Sequence, residues 1–397
     1  MNKKSKFLDI TKIVVIEILL FFLLLIFFKV ESVLILFVAV ALVVLVFIAF
    51  RIYKKQVQSI LNLFALNRPV VLIILLILLI LYPVLSPIII PRGGTYWILI
   101  LIQTGIYIIT ALGLNFQLGS AGMMNLATAA FYGVGAYTAG ILSLKLGWPA
   151  LITIPVAGIV AALAGLILFI PIYKTKGHYL ALVTLAFGLM LVLAADNIEF
   201  LGGPQGLKNI PSINLFGYSF LSSLGGLHFY TNYYYFVLLL VIITVVIFHR
   251  LFNSWVGLTA SYIRDDEPAA KGCGINSNFQ KLLIFMFGNF FMGVAGAIYA
   301  HMIGFISPPN FQFTQSLLIV SIVIIGGMDN ILGLIMGAFI LVVLPEKLRV
   351  ITEYRIMLYG ILLIATLIFR PRGLLPFGPR KYESLLGFRK GGRSDVE

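Results

Sequence analysis

From residue 13 to residue 369 the chain is a succession of apolar runs, each of roughly 16–25 residues and so long enough, as a helix, to cross about 30 Å of hydrocarbon. Inside a bilayer every backbone N–H and C=O must find its partner within the protein, which leaves helices as the only option for separate apolar runs. Composition agrees: 61% of residues are hydrophobic and 11% charged, far from the balance of a soluble domain. The expected fold class is all-α, a polytopic integral membrane helical bundle of about 10–12 transmembrane segments, some of them short or re-entrant.

The placement of Lys and Arg gives an orientation, because short loops rich in them stay cytoplasmic. Lys3, Lys4, Lys6 and Lys12 hold the N-terminus inside. The basic start followed by an apolar run has the outline of a signal peptide, but Lys29-Val-Glu-Ser follows Phe28 in place of a small-residue cleavage site, so it is read as an uncleaved span. Spans over 13–28 and 33–50 return the chain to the cytoplasm at Arg51, Lys54, Lys55 and Arg68. There Val57, Ile60, Leu61 and Phe64 follow helical spacing, suited to a short helix on anionic membrane lipid.

Further spans are expected over 69–90, 96–118, 123–145, 149–173 and 178–200, with Lys174 and Lys176 marking an inside loop. Residues 201–232 are then outside, and a span over 233–250 brings the chain back. Clear spans over 281–302 and 354–370 flank an ambiguous stretch, 313–345, interrupted by Gly326-Gly-Met-Asp-Asn330. Two short segments meeting at an inner Gly326–Asn330 turn are preferred, because they keep the basic C-terminal tail inside. The organisation is an N-terminal membrane region over 1–68, a core over 69–375 and a basic tail over 376–397. The net charge of +14 follows from this topology and gives no case for a nucleic-acid partner.

Most catalytic chemistry is missing. Glu17 lies near the start of its span, and Asp196 and Glu199 near the outer end of theirs, where water can reach them. No ionisable pair of the kind used by ion-coupled carriers is evident at mid-membrane. His178, His228, His249 and His301 are scattered at loop edges, so neither a metal site nor any cofactor is expected. Gly203 to Lys208 has the wrong spacing for a phosphate-binding loop, so the chain does not hydrolyse ATP by itself. Cys273 is alone and forms no intrachain disulfide. No catalytic residues are assigned, and an enzyme is not expected.

Small residues four apart recur at Ala129 and Gly133, at Ala157, Ala161 and Gly165, at Gly293 and Ala297, and at Gly333 and Gly337. Such spacing lets helix backbones approach closely in lipid. Against this background the loop over 253–280 is polar and mixed in charge, and by parity it faces the cytoplasm. Asp265 or Asp266 can cap a helix there, Pro268 suits its first turn, and Gly272 or Gly274 can end it. The residues fit a short docking helix with small residues exposed, or equally a solvated inter-helix loop.

Several blocks carry a family resemblance. Glu267, Ala269-Ala270 and Gly274 resemble the EAA-type coupling loop of ABC importer permeases. Gly113-Leu-Asn-Phe-Gln-Leu-Gly-Ser-Ala-Gly-Met-Met-Asn-Leu126, Ala130–Tyr137, Tyr179–Gly188, Gly202–Gly206, Gly304–Pro308, Gly326–Met328 and Arg370–Leu374 are similar, in order, to LivM-type permeases of branched-chain amino-acid importers. The resemblance spans roughly 95–375; it departs at Ala127-Thr128, where many relatives carry Gly-His, and at Pro268.

The resemblance implies the translocation subunit of an ATP-binding-cassette importer in the cytoplasmic membrane of a prokaryote, with leucine, isoleucine or valine as cargo. Permeases for urea, short-chain amides or other amino acids share these blocks, and an ion-coupled secondary transporter is the other alternative. The implied partners are a second related permease, two cytosolic ATPases, an extracytoplasmic binding protein and membrane lipid. Arg264, Asp265, Asp266, Glu267, Ala269, Ala270 and Gly274 would couple to the ATPase. Asn115, Gln117, Gly119, Ser120, Gly122, Asn125, Thr184 and Gly188 are the candidates for the substrate path, although each also suits helix packing.

Overall fold

The computed structural model describes residues 3–29, 68–89, 93–172, 178–215, 218–221, 230–347 and 373–375, with 357, 360, 364 and 368. The expected span over 33–50, the surface helix over 51–64, the loop at Lys174 and Lys176 and the tail over 376–397 lie outside the described residues, as does most of the span over 354–370. The described chain is overwhelmingly helical. Its helices are α1 (Lys3–Lys29), α2 (Arg68–Ile89), α3 (Gly94–Asn115), α4 (Thr128–Leu146), α5 (Ala150–Ile172), α6 (His178–Asn197), α7 (Thr231–Phe252), α8 (Trp255–Asp265), α9 (Glu267–Gly272), α10 (Ser277–Ile303), α11 (Phe313–Gly326) and α12 (Ile331–Lys347). Six stretches among the described residues are long and apolar enough to cross a membrane, and Ile73–Ser86 and Ile331–Glu346 are shorter apolar helices. The protein is a polytopic helical membrane bundle.

Two units are distinguished, residues 1–99 with 223–231, and residues 100–222 with 232–397. In the first, α1 packs on α2, and Phe28 stacks on Trp97 at 4.5 Å while meeting Tyr82 edge-on at 5.9 Å. Glu17 departs from expectation: its residue is 7% exposed, and neither carboxylate oxygen has a hydrogen-bond partner among the described residues. Glu17 lies near the middle of the 27-residue α1 rather than at its end, so neighbouring side chains bury it.

The second unit is organised around α10, which packs most extensively on α5 and α4. The reason is the run of small residues on its faces. A Cβ on Gly296 would lie 1.8 Å from the Tyr132 carbonyl oxygen, and one on Gly135 2.1 Å from that of Gly293. The backbones of α4 and α10 are thus in direct contact, the kind of approach that drives helix association in lipid. On the other face Gly293 meets Ala157 and Ala161 of α5. The small-residue spacing read from the sequence therefore marks real interfaces.

Helix boundaries follow local chemistry. The expected span over 123–145 begins only at Thr128, because Gly122 takes the left-handed conformation (φ 68°) and the Asn125 side chain accepts the Ala127 N–H at 2.9 Å. Such a local bond competes with helix formation. The stretch 313–345 is two helices, α11 and α12, joined by a turn in which Gly327 and Asp329 have φ of 113° and 64°. Gly326 and Gly333 let these helices pack backbone to backbone. Leu374 and Leu375 donate to Ile325 and Gly326, so residues 373–375 lie beside the turn.

At the end of α10 remote from α9, short strands β1 (Leu207–Lys208) and β4 (Phe305–Ile306) pair antiparallel, as do β2 (Asn214–Leu215) and β3 (Tyr218–Ser219). His301, expected at a loop edge, is instead 1% exposed. Its Nδ1 donates to the Pro211 carbonyl at 2.8 Å, its Nε2 lies 2.8 Å from Thr153 Oγ1, and Tyr233 hydroxyl donates to its carbonyl at 2.8 Å. The His301 side chain ties a loop and α5 to α10, and its backbone carbonyl adds α7.

Gly296→Ala should destabilise the bundle by about 1–3 kcal/mol, since the new methyl has only backbone to displace. Gly188→Ala, whose Cβ would meet nothing closer than Ala127 Cα at 3.8 Å, should be near neutral. Unfolding of the purified chain in detergent measures both; equal stabilities would contradict backbone contact between α4 and α10.

Candidate functional site

Helix α3 does not stop cleanly at Asn115 but widens into a π turn, Phe116–Ser120, a rare geometry that concentrates at functional sites. Phe116 wedges among Phe248, Phe252 and Phe287, with ring centroids 5.8, 5.8 and 6.3 Å away. With that ring fixed on one side, Gln117 is directed at α10. Its Nε2 donates to the Phe285 carbonyl at 2.9 Å and to Asn289 Oδ1 at 3.0 Å. Asn125, returning from the break, donates to Gln117 Oε1 at 2.9 Å.

This three-amide cluster is buried, with Gln117 and Asn289 at 0% and Asn125 at 1% exposure. Asn289 Nδ2 has no hydrogen-bond partner among the described residues, and neither has Asn115 Nδ2. Gly165 makes room for it, because a Cβ there would lie 2.3 Å from Asn289 Nδ2. Thr184 closes the break from α6: its hydroxyl accepts the Leu126 N–H at 3.0 Å and donates to the Ala181 carbonyl at 2.9 Å. Gly188 faces Ala127 at ordinary contact distance.

A second polar cluster adjoins the first. Ser120 Oγ donates to Asp329 Oδ1 at 2.8 Å, and Arg264 Nη1 pairs with Asp329 Oδ2 at 2.7 Å. The Asp329 N–H donates to Asn115 Oδ1 at 2.9 Å, and Arg264 also donates to the Gly119 carbonyl. Gly119 cannot carry a side chain here, since its Cβ would come within 2.6 Å of Asn115 Oδ1 and 2.9 Å of Asp329 Oδ1.

Past Arg264 the chain forms α9, capped as its residues suggest. Asp266 Oδ1 accepts the Ala269 N–H at 3.0 Å, and Pro268 occupies the first turn. Gly274 ends it with φ 81°. Glu267 does not face outward: its carboxylate meets Lys281 of α10 at 2.7 Å and Lys271 at 3.0 Å. Ala270 is 3% exposed, whereas Asp265, Asp266, Ala269 and Gly274 are exposed. The seven residues expected in coupling therefore divide: Arg264, Glu267 and Ala270 anchor the segment, and the other four form its outer face.

All eight path candidates lie around the Phe116–Ala127 break. Asn289 and Asp329 complete the site and were not singled out from the sequence. An amide in the apolar middle of the 27-residue α10 was the available signal for Asn289. For Asp329 the only mark was a carboxylate in a glycine turn, which had been read as topology.

Burial opposes ionisation of Glu267, but hydrogen bonds from Lys281 and Lys271 and their charges outweigh it and hold the carboxyl below the ordinary carboxylate range. A lowered folded-state pKa means that its anchoring of α9 is fully present above the ordinary carboxylate range and is lost as pH falls through the lowered value. Hydrogen exchange at amides 267–272, followed from about pH 7 down to about pH 3 and corrected for intrinsic rates, should show protection lost only at the acid end. Glu267→Gln should lower that protection at neutral pH. A decline already near neutrality would contradict the ion-pair anchor.

Comparison with known proteins places this site in context. The model of the family described as branched-chain amino acid transport system / permease component matches residues 96–367. The high-affinity branched-chain amino acid transport system permease protein LivM of Salmonella typhimurium is 34% identical over 322 residues, covering 77% of this chain and 75% of the relative. LivM of Escherichia coli is 34% identical over 305 residues, 72% of each chain. A probable branched-chain amino acid transport permease protein LivM of Methanocaldococcus jannaschii is 24% identical over 331 residues, 71% of this chain and 93% of that one. No solved structure matches the chain. With the family model covering well over half its length, the chain belongs to the family of branched-chain amino acid transport system permease components.

Proposed function

We propose that the protein is the translocation subunit of an ATP-binding-cassette importer that moves leucine, isoleucine or valine inward across the cytoplasmic membrane, energised by separate ATPase subunits. The observation that carries this reading is α9: a six-residue capped helix, anchored on its inner face by Glu267 and Ala270 and presenting small and charged residues outward. Small exposed residues allow a partner surface to come close, and the flanking Asp265, Asp266 and Lys271 set the register of that contact. Movement of such a helix can rock the bundle between inward and outward access. Family membership supports the cargo class.

The partners on this reading are two cytosolic ATPases at α9 and its counterpart, a second related permease completing the membrane core, and an extracytoplasmic binding protein. The N- and C-termini are cytoplasmic. The substrate path runs by the Phe116–Ala127 break. An apolar amino acid needs a small apolar cavity with a few polar groups for its charged end. The buried amide donors of Asn115 and Asn289, without a hydrogen-bond partner among the described residues, are groups that the cargo carboxylate would satisfy, and they support that location.

Two measurements test this. In proteoliposomes holding the whole complex, ATP should drive leucine uptake, and Asn125→Leu should reduce it about tenfold while ATPase binding persists; uptake of urea in place of leucine would replace the cargo assignment. Asp265→Lys should weaken co-purification of the ATPase with α9 intact. Undiminished co-purification would remove Asp265 from the docking face.

A further inference from the structure

We infer that the Arg264–Asp329 ion pair is the strut that carries movement of α9 into the amide cluster, making both residues positioning residues for transport. The inference rests on the ATP-driven reading above.

The first ground is conformational. Asp329 has φ 64° although it is not glycine, in a turn where Gly327 is also left-handed. Glycine would adopt that backbone at no steric cost, so the carboxylate is retained against a local penalty. An outlier of this kind points to work done by the side chain.

The second ground is connectivity. The residue is 7% exposed, and three chain segments meet on it: Arg264 from the last turn of α8, Ser120 and Asn115 from the π turn and the end of α3, and the α11–α12 turn itself. Packing around them is close. Gly119 has no room for a Cβ, and a Cβ on Gly122 would lie 3.1 Å from Arg264 Cγ.

The third ground is position. Arg264 is followed at once by Asp265 and by Asp266, the cap of α9. At the other end Ser120 belongs to the same π turn as Gln117, whose amide bonds Asn125 and α10. The pair, with the Arg264 bond to the Gly119 carbonyl beside it, is therefore a contiguous link between the exposed coupling helix and the buried amides. Separating it would take a charged partner from a buried carboxylate, which is unfavourable even with the Ser120 hydrogen bond in place. When α8 and α9 shift, the π turn and the α11–α12 turn are drawn along with them.

The test uses the complete importer in proteoliposomes, with ATP hydrolysis and leucine uptake measured in the same preparation. Wild-type complex without ATP-dependent uptake would refute the proposed function itself, independently of the strut. Given wild-type uptake, Asp329→Gly removes the carboxylate while relieving the backbone, and Arg264→Gln removes the charge while keeping hydrogen-bond donors. Each should assemble with its ATPases and hydrolyse ATP at close to the wild-type rate, with uptake per ATP reduced about tenfold. The double variant should be no worse than the single ones, because both remove the same contact. Unchanged uptake per ATP in the single variants, or defects that multiply in the double variant, would overturn the proposal. So would failure of both single variants to assemble, which would assign the pair to folding alone.

Discussion

Where a membrane helix is interrupted inside a packed bundle, protein groups must take over the hydrogen bonds that the helix or water would otherwise make. The chain between Phe116 and Ala127 meets that condition with side chains. Asn125 takes the Ala127 N–H, Thr184 takes the Leu126 N–H, and Asn115 takes the N–H of Asp329 across the site. Everything of functional interest in the second unit is arranged about this break. Without it, α3 and α4 would be plain membrane helices.

The break needs neighbours held at fixed distance, and glycine supplies them. Backbone contact of α4 with α10 at Gly135, Gly293 and Gly296 fixes α10 so that Asn289 reaches Gln117 and Asn125. In lipid there is little hydrophobic drive between helices, so close packing and polar contacts supply the specificity instead. The same economy is seen at the α11–α12 turn, where Gly326 and Gly333 allow the backbones to touch and Asp329 projects from the turn towards Arg264. The inward anchoring of Glu267 by Lys281 extends the pattern to the coupling segment, whose inner face belongs to the bundle and whose outer face remains for a partner.

Much of this was legible in the residues. The apolar runs located helices α2 to α7 and α10 to within a few residues, because length and hydropathy alone decide what can cross a bilayer. The cap and stop residues of α9 act locally, so Asp265 or Asp266, Pro268, and Gly272 or Gly274 were readable in those roles, and the structure uses Asp266, Pro268 and Gly274. Small-residue spacing announced the faces of α5, α10 and α12. Illegible were the roles that depend on partners on other elements, from 14 to 172 residues away: Asn289 beneath Gln117, His301 beneath Pro211 and Thr153, and Glu267 turned inward to Lys281. Glu17 likewise gave no sign in its sequence position that it is buried.

The sequence by itself determined that this is a helical membrane bundle with a polar segment between two spans that carries residues able to cap a helix, since hydropathy, charge placement and helix-capping chemistry act over a few residues at a time. Only the tertiary structure decided what the polar residues do. Arg264 and Asp329 are 65 residues apart in sequence, and no local property of either encodes their meeting. That contact exists because glycine-mediated packing sets the helices at one spacing, and because at that spacing a partly exposed guanidinium reaches a buried carboxylate.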